Sequence, residues 1–328
     1  MRASNIQEAA AIAASSVRQT LEDHLSGFLP LSLERQELER IYLEAWNSSG
    51  STLEPWSLAR SPWSSSAKTD KTLKNTGARM AVSYMSPHNS LGLVFPAYSG
   101  ESACLMAEVT GCHFPCFGND YGRGHLAYPQ GNARKAMLSR TLFLRYAPHM
   151  FGQWFAETLL QWREKEWRKH VSAGPLNVLP GVPPLVARGD GTTDLGILLE
   201  SVDLLEELGV TVREYTKVLP RWERLKENVV LSLAPHDFLR RAQKVEEARA
   251  SASIVFRTKD IGEAMNCARS LIGSSSDALS PLAWRIVDGD REEPVRALIN
   301  PRATLRVLTL KTKSLDVPGD RLSFPVNA

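Results

Sequence analysis

Cysteine is scarce in this chain of 328 residues: there are four, and three of them stand at positions 104, 112 and 116. Thiols crowded this way make a poor disulfide framework, so the fold must rest on a core. Long apolar runs are missing too. No stretch approaches the ~18 apolar residues a spanning helix needs, and no membrane segment is expected. Charge of one sign is not in excess. The 39 basic and 36 acidic side chains leave +3, too little to mark a nucleic-acid binder. The opening Met1-Arg2-Ala3-Ser4-Asn5-Ile6-Gln7-Glu8 puts an acid where an export signal would place its apolar region. A cytoplasmic protein is expected, in the host cytoplasm if the source is a virus, and nothing in the sequence sets its oligomeric state.

What is present is patterned for an α/β fold. Apolar residues at three- and four-residue spacing predict helices over 5–26 (Ala9, Ala13, Val17, Leu21) and 32–47 (Leu38, Ile41, Tyr42, Ala45), the second starting at Ser32. A stretch rich in Ser, Pro, Trp and Lys then reads as a linker. Leu91–Pro96 is a candidate strand, and helices are predicted over 132–146 and 149–169, separated by Pro148. Beyond Pro184 strands alternate with helices. Strands are expected at 184–188, 210–215, 229–233, 253–256, 284–287 and 305–310. Helices are expected at 193–208, around Trp222, and at 236–249 and 261–272.

Such alternation argues for a parallel sheet with right-handed crossovers. The expected fold is a parallel β/α barrel, complete or partial, with an N-terminal helical extension; an open doubly wound sheet is the alternative. The chain divides into a helical segment (1–47), a linker (48–78), a barrel-like domain (79–313) and a tail (314–328). Functional groups should gather at the carboxyl ends of the strands.

Cys104, Cys112 and Cys116 are the leading candidate centre. Three thiolates can hold three irons of a cubane cluster and leave the fourth open, or close a zinc site with His113; plain reduced thiols or a redox pair are the alternatives. Cys267, in an apolar helical stretch, is expected to be a small core residue. Arg188-Gly189-Asp190-Gly191 ends a predicted strand, where glycine allows close approach and Arg188 can clamp a carboxylate. Lys217 and His236-Asp237 hold equivalent places and read equally as caps. Asp288-Gly289-Asp290 can bind a metal, hold an arginine or form an Asx turn. The glycine-rich 118–125 loop has no phosphate-loop lysine. The helix bearing Trp154, Trp162, Arg163, Lys165, Trp167, Arg168 and Lys169 can offer single-stranded nucleic acid a stacking surface, or simply be amphipathic.

Taken in order, Phe95-Pro96-Ala97-Tyr98, the three cysteines, Asn132-Ala133-Arg134-Lys135-Ala136, Arg188-Gly189-Asp190, Tyr215-Thr216-Lys217 and Val287-Asp288-Gly289-Asp290 resemble the phage gene product eighty-eight family. These are viral and prophage proteins of poorly defined activity. The resemblance spans roughly residues 90–313. It implies a barrel and a three-cysteine loop similar to those of radical S-adenosylmethionine enzymes, although the Cys-x3-Cys-x2-Cys spacing of those enzymes is not present. On that reading the thiolates hold an iron–sulfur cluster or another metal. Arg188, Asp190, Lys217 and Asp290 bind a small anionic ligand, S-adenosylmethionine being one candidate. Two rivals stand beside it. One is a nucleic-acid-binding replication accessory, motivated by the Trp/Arg/Lys helix and the Lys68–Lys74 stretch. The other is a host-interaction scaffold that captures a partner through its N-terminal helices.

Overall fold

The computed structural model describes residues 3–28, 33–64, 74, 77–107, 131–171, 184–289 and 302–309. It shows a mixed α/β protein with parallel sheets, about half helical. The chain forms two compact units, Met1–Ala103 with Asn132–Val212, and Cys104–Gly131 with Arg213–Ala328. Each carries its own sheet.

In the first unit, α1 (Ile6–Leu25) starts where the Asn5 side chain accepts from the amides of Gln7 and Glu8, both at 3.0 Å. Its small buried residues Ala9, Ala13 and Val17 let it lie along the long helix α4 (Pro148–Val171). Pro148 opens α4, where its missing N–H costs nothing. Gly152 is required there. A Cβ on it would run into the Ala13 carbonyl oxygen and come within 2.8 Å of the Ser16 Cβ. Helices α2 (Arg35–Ser48) and α3 (Asn132–Tyr146) complete the helical layer. Phe143 of α3 meets Trp154 edge-on at 5.8 Å, and Phe151 stacks on Phe155 at 5.4 Å.

The first sheet runs β1 (Trp63–Ser64), β2 (Arg79–Ser83), β3 (Leu185–Arg188), β4 (Val210–Val212), with β1 antiparallel and the rest parallel. Two sequence expectations fail in this unit. Leu91–Val94 is a turn, not a strand. Leu91 and Phe95, four apart, both point inward, Leu93 is 78% exposed, and the Phe95 amide closes onto the Leu91 carbonyl at 3.0 Å. The expected 193–208 helix shrinks to α5 (Val202–Glu207), because the Asp190 carboxylate draws residues 193–196 into a loop. Gly209 ends α5 at φ +73° as expected.

The second unit begins one residue after β4. The single strand expected at 210–215 is two, β4 and β5 (Glu214–Thr216), divided at the buried Arg213, whose Nη1 donates to the Glu227 carbonyl at 2.8 Å. Alternating elements follow: α6 (Leu219–Arg224), β6 (Val229–Ser232), α7 (Phe238–Glu247), β7 (Ser251–Phe256), α8 (Ile261–Ser274), β8 (Trp284–Asp288) and β9 (Ala303–Thr309). All strands of this sheet are parallel, in the order β5-β6-β7-β9-β8. The last strand inserts between its two predecessors, so the order departs from the sequential one of a complete barrel, and a complete barrel is not shown. Among the described residues no helix is long and apolar enough to cross a membrane.

Candidate functional site

The register sorts the second sheet into two unlike faces, because partners in parallel strands share a face and neighbours alternate. Val229, Leu231, Ala252, Ile254, Phe256, Leu305 and Val307 form one, all buried. Helix α6 packs on β5 and β6, α7 on β7 and β9, α8 on β8 and β9. Right-handed crossovers place all three helices on one side. The opposite face mixes apolar residues with polar ones, several of which are buried. Ser232, Ser253, Arg306 and Val287 stand side by side across β6, β7, β9 and β8. Ser253 is 3% and Arg306 5% exposed, and the two serine hydroxyls are 3.2 Å apart. Ser251 and Thr304, also buried, form a parallel row. Among the strand residues of this face are two arginines, Arg285 and Arg306, and no carboxylate.

Lys217, half-buried, follows the carboxyl end of β5. Its loop is fixed from two sides. The Thr216 hydroxyl accepts from the Val218 amide at 3.0 Å, and Arg241 of α7 donates Nη1 to the Lys217 carbonyl at 2.8 Å while its Nε meets the Asp237 carboxylate. Asp237 is thus a helix-start anchor for a buried arginine. Asp288 ends β8, and the Gly289 amide donates to the Val307 carbonyl at 2.8 Å; a Cβ there would stand 2.9 Å from the Leu308 Cδ2. Asp290 lies outside the described residues.

At the carboxyl ends of the first sheet the groups are different. Arg188 is the last residue of β3, in register with Val82 and, through it, Ser64. Asp190 is 3% exposed, and its carboxylate accepts from the Thr193 hydroxyl at 2.7 Å and from the Gly196 amide. It organises its own loop. Gly191 passes so close to β2 that a Cβ would lie 2.5 Å from the Tyr84 Cδ1 and 2.7 Å from the Ser83 oxygen. Arg188 and Asp190 therefore sit together at one strand end, and Lys217 at a strand end of the other unit.

Sequence reasoning missed Arg140. It lies on α3 three residues after Met137 and four before Leu144, on the buried stripe, and is 6% exposed. Nη1 donates to the Tyr84 carbonyl at 2.9 Å and Nη2 reaches the Ser64 hydroxyl at 3.5 Å, while among the described residues Nε has no hydrogen-bond partner. Burial pushes its guanidinium down to about 10. A charged residue in an apolar helical stripe is the signal that could have found it.

Of the three clustered cysteines only Cys104 is described; it is half-buried, and its carbonyl accepts from the Ala107 amide at 3.1 Å. Cys112, Cys116 and His113 lie outside the described residues. Among the described residues no three His, Cys, Asp or Glu side chains are grouped to hold a metal. Cys267 is half-exposed on α8, which corrects the expectation of a core residue. The Trp/Arg/Lys helix is α4. Trp154 is buried, Arg168 and Lys169 pair with Glu164 and Glu166, and Arg163 donates to the Leu208 carbonyl while lying 5.8 Å from the Trp167 ring. Lys165 is exposed, and Trp162 and Trp167 are half-buried.

The class these observations define is an α/β protein with parallel sheets and polar strand ends. No protein-family model matches the chain, and no curated protein or solved structure matches it.

Proposed function

We propose that this is a phage-type protein of the gene product eighty-eight family that binds a small anionic ligand on a polar sheet face, beside a metal held by Cys104, Cys112 and Cys116. The observation that carries the ligand half is the row of half-buried Ser232 with buried Ser253 and Arg306: hydroxyls and a guanidinium side by side, among described strand residues that include no carboxylate on this face, favour an oxygen-rich anion. Lys217, Asp290, Arg188 and Asp190 are further candidates for anion binding; Lys217 follows a strand end of the second unit, and Arg188 and Asp190 stand at a strand end of the first.

The donor set supports the metal half. Three thiols in one short stretch, with an imidazole among them, match the chemistry of an iron–sulfur cluster or of zinc. A cluster with one open iron would supply single-electron chemistry to a ligand such as S-adenosylmethionine. The chain's own residues would bind that ligand's carboxylate, orient it and exclude water.

Anaerobic purification with iron, sulfide and zinc analysis tests the metal, wild type beside a variant with all three clustered cysteines changed to alanine. Stoichiometric iron and sulfide, lost in the variant, is the expected result; equal, trace metal in both would remove the metal centre. Arg306→Met should weaken binding of S-adenosylmethionine at least tenfold in equilibrium dialysis. Unaltered binding would remove the polar row from the ligand site.

A further inference from the structure

We propose that Arg140 anchors a second oxyanion site, for a carboxylate or phosphate group, at the carboxyl ends of β2 and β3, with Ser64 and Arg188 beside it. The inference rests on the reading of this protein as a binder of anions and adds to it a place and a residue that the family resemblance does not supply.

Two other enclosed arginines meet carboxylates. Arg145 holds Glu101 at 2.7 Å and Arg241 holds Asp237. Arg140 is as deeply enclosed, but what it touches among the described residues is neutral: the Tyr84 carbonyl and the Ser64 hydroxyl. Among the described residues its Nε donor has no partner. A guanidinium has five donors in a planar fork, and burying its charge without a counter-ion is among the most unfavourable arrangements a fold can contain. The α3 backbone leaves it little freedom to escape, since the residue sits on the buried stripe between Met137 and Leu144. A fold that keeps such a charge at the carboxyl edge of parallel strands keeps it for something that arrives there.

The neighbours fit an oxyanion. Ser64 offers a hydroxyl, and Val82 lies between it and Arg188 in the same row, so Arg188 projects from the same face roughly 10 Å away, two strand spacings. The Gly191 amide holds the Ser83 carbonyl at 2.8 Å and fixes the β3 loop against β2, which keeps these positions in register. Two guanidiniums and a hydroxyl at that separation suit a ligand bearing one oxyanion at each end or a single group held at Arg140.

The test is thermal unfolding of the full-length protein titrated with orthophosphate or malonate, against chloride at matched ionic strength. At least one oxyanion should raise the wild-type Tm saturably by several degrees. Arg140→Met should fold and lose that shift, and Arg140→Lys should need roughly tenfold more ligand, because an ammonium cannot reproduce the fork. Phosphate alone acting would identify a phosphate-bearing ligand, malonate alone a carboxylate. The proposal is overturned if neither exceeds chloride, or if Arg140→Met responds like wild type. Should Arg140→Met fail to fold, an unchanged half-saturation point in Arg140→Lys overturns it instead. The titration repeated in the triple cysteine variant separates this site from the metal: a response that persists there leaves the Arg140 site standing even if no metal is ever found.

Discussion

At the scale of single residues, the strand-end loops depend on side chains that are missing as much as on those present. Gly191 lets the chain cross β2 at a distance no Cβ tolerates. Gly191→Ala should cost about 1–3 kcal/mol in urea unfolding, the range for forced overpacking; an unchanged midpoint would show that the β3 loop simply shifts aside. The sequence marked this glycine correctly as a place of close approach, but for a different visitor, since the approach is to the chain's own backbone. Asp190 teaches the same lesson. Its position after a strand was legible, whereas its engagement by Thr193 and Gly196 depends on a loop path that no periodicity encodes. Arg140 was legible in principle as a charge on an apolar stripe, and was obscured because Arg134 to Leu144 read as one strong helix.

At the scale of elements, long periodic segments were legible and short apolar runs were not. The helices over 6–25 and 132–146 and the strands β6 to β9 lie where their patterns put them. Leu91–Phe95 misled because five apolar-rich residues satisfy a strand and a turn equally, and only the inward pairing of Leu91 with Phe95 decides. Helix packing yields a paired prediction. Gly152 faces α1 across a gap with no room for a methyl group, whereas Gly273, near the end of α8, has nothing within 4 Å of where its Cβ would be. Gly152→Ala should destabilise by about 1–3 kcal/mol. Gly273→Ala should stabilise by about 0.5–1 kcal/mol, as alanine does in an open helical position. Equal effects at the two sites would mean that α1 and α4 are not held at the described spacing.

At the scale of the whole molecule, alkaline pH should report on the core. Burial pushes the Tyr42 phenol up to about 12, partly offset by its 2.9 Å hydrogen bond with Ser139. The folded protein keeps this proton where an unfolded chain, with a phenol near 10, gives it up. The contribution is therefore intact below pH 10 and lost as pH rises towards 12, by about 3 kcal/mol at most. Arg140 opposes it, since its lowered value favours the folded state above pH 10. Wild type and Tyr42→Phe should accordingly converge in behaviour below pH 10 and separate above it, with Tyr42→Phe losing less stability; parallel curves from pH 9 to 12 would place the phenol in water. The first unit has one more consequence, because it is assembled from two stretches of chain. Strand β2 waits for β3, about a hundred residues downstream, before it gains its parallel partner. On a ribosome moving at roughly 5–20 residues per second, that leaves a largely apolar strand, partnered only by the two-residue β1, emerging and waiting for about 5–20 s, the interval in which a nascent chain most needs a chaperone.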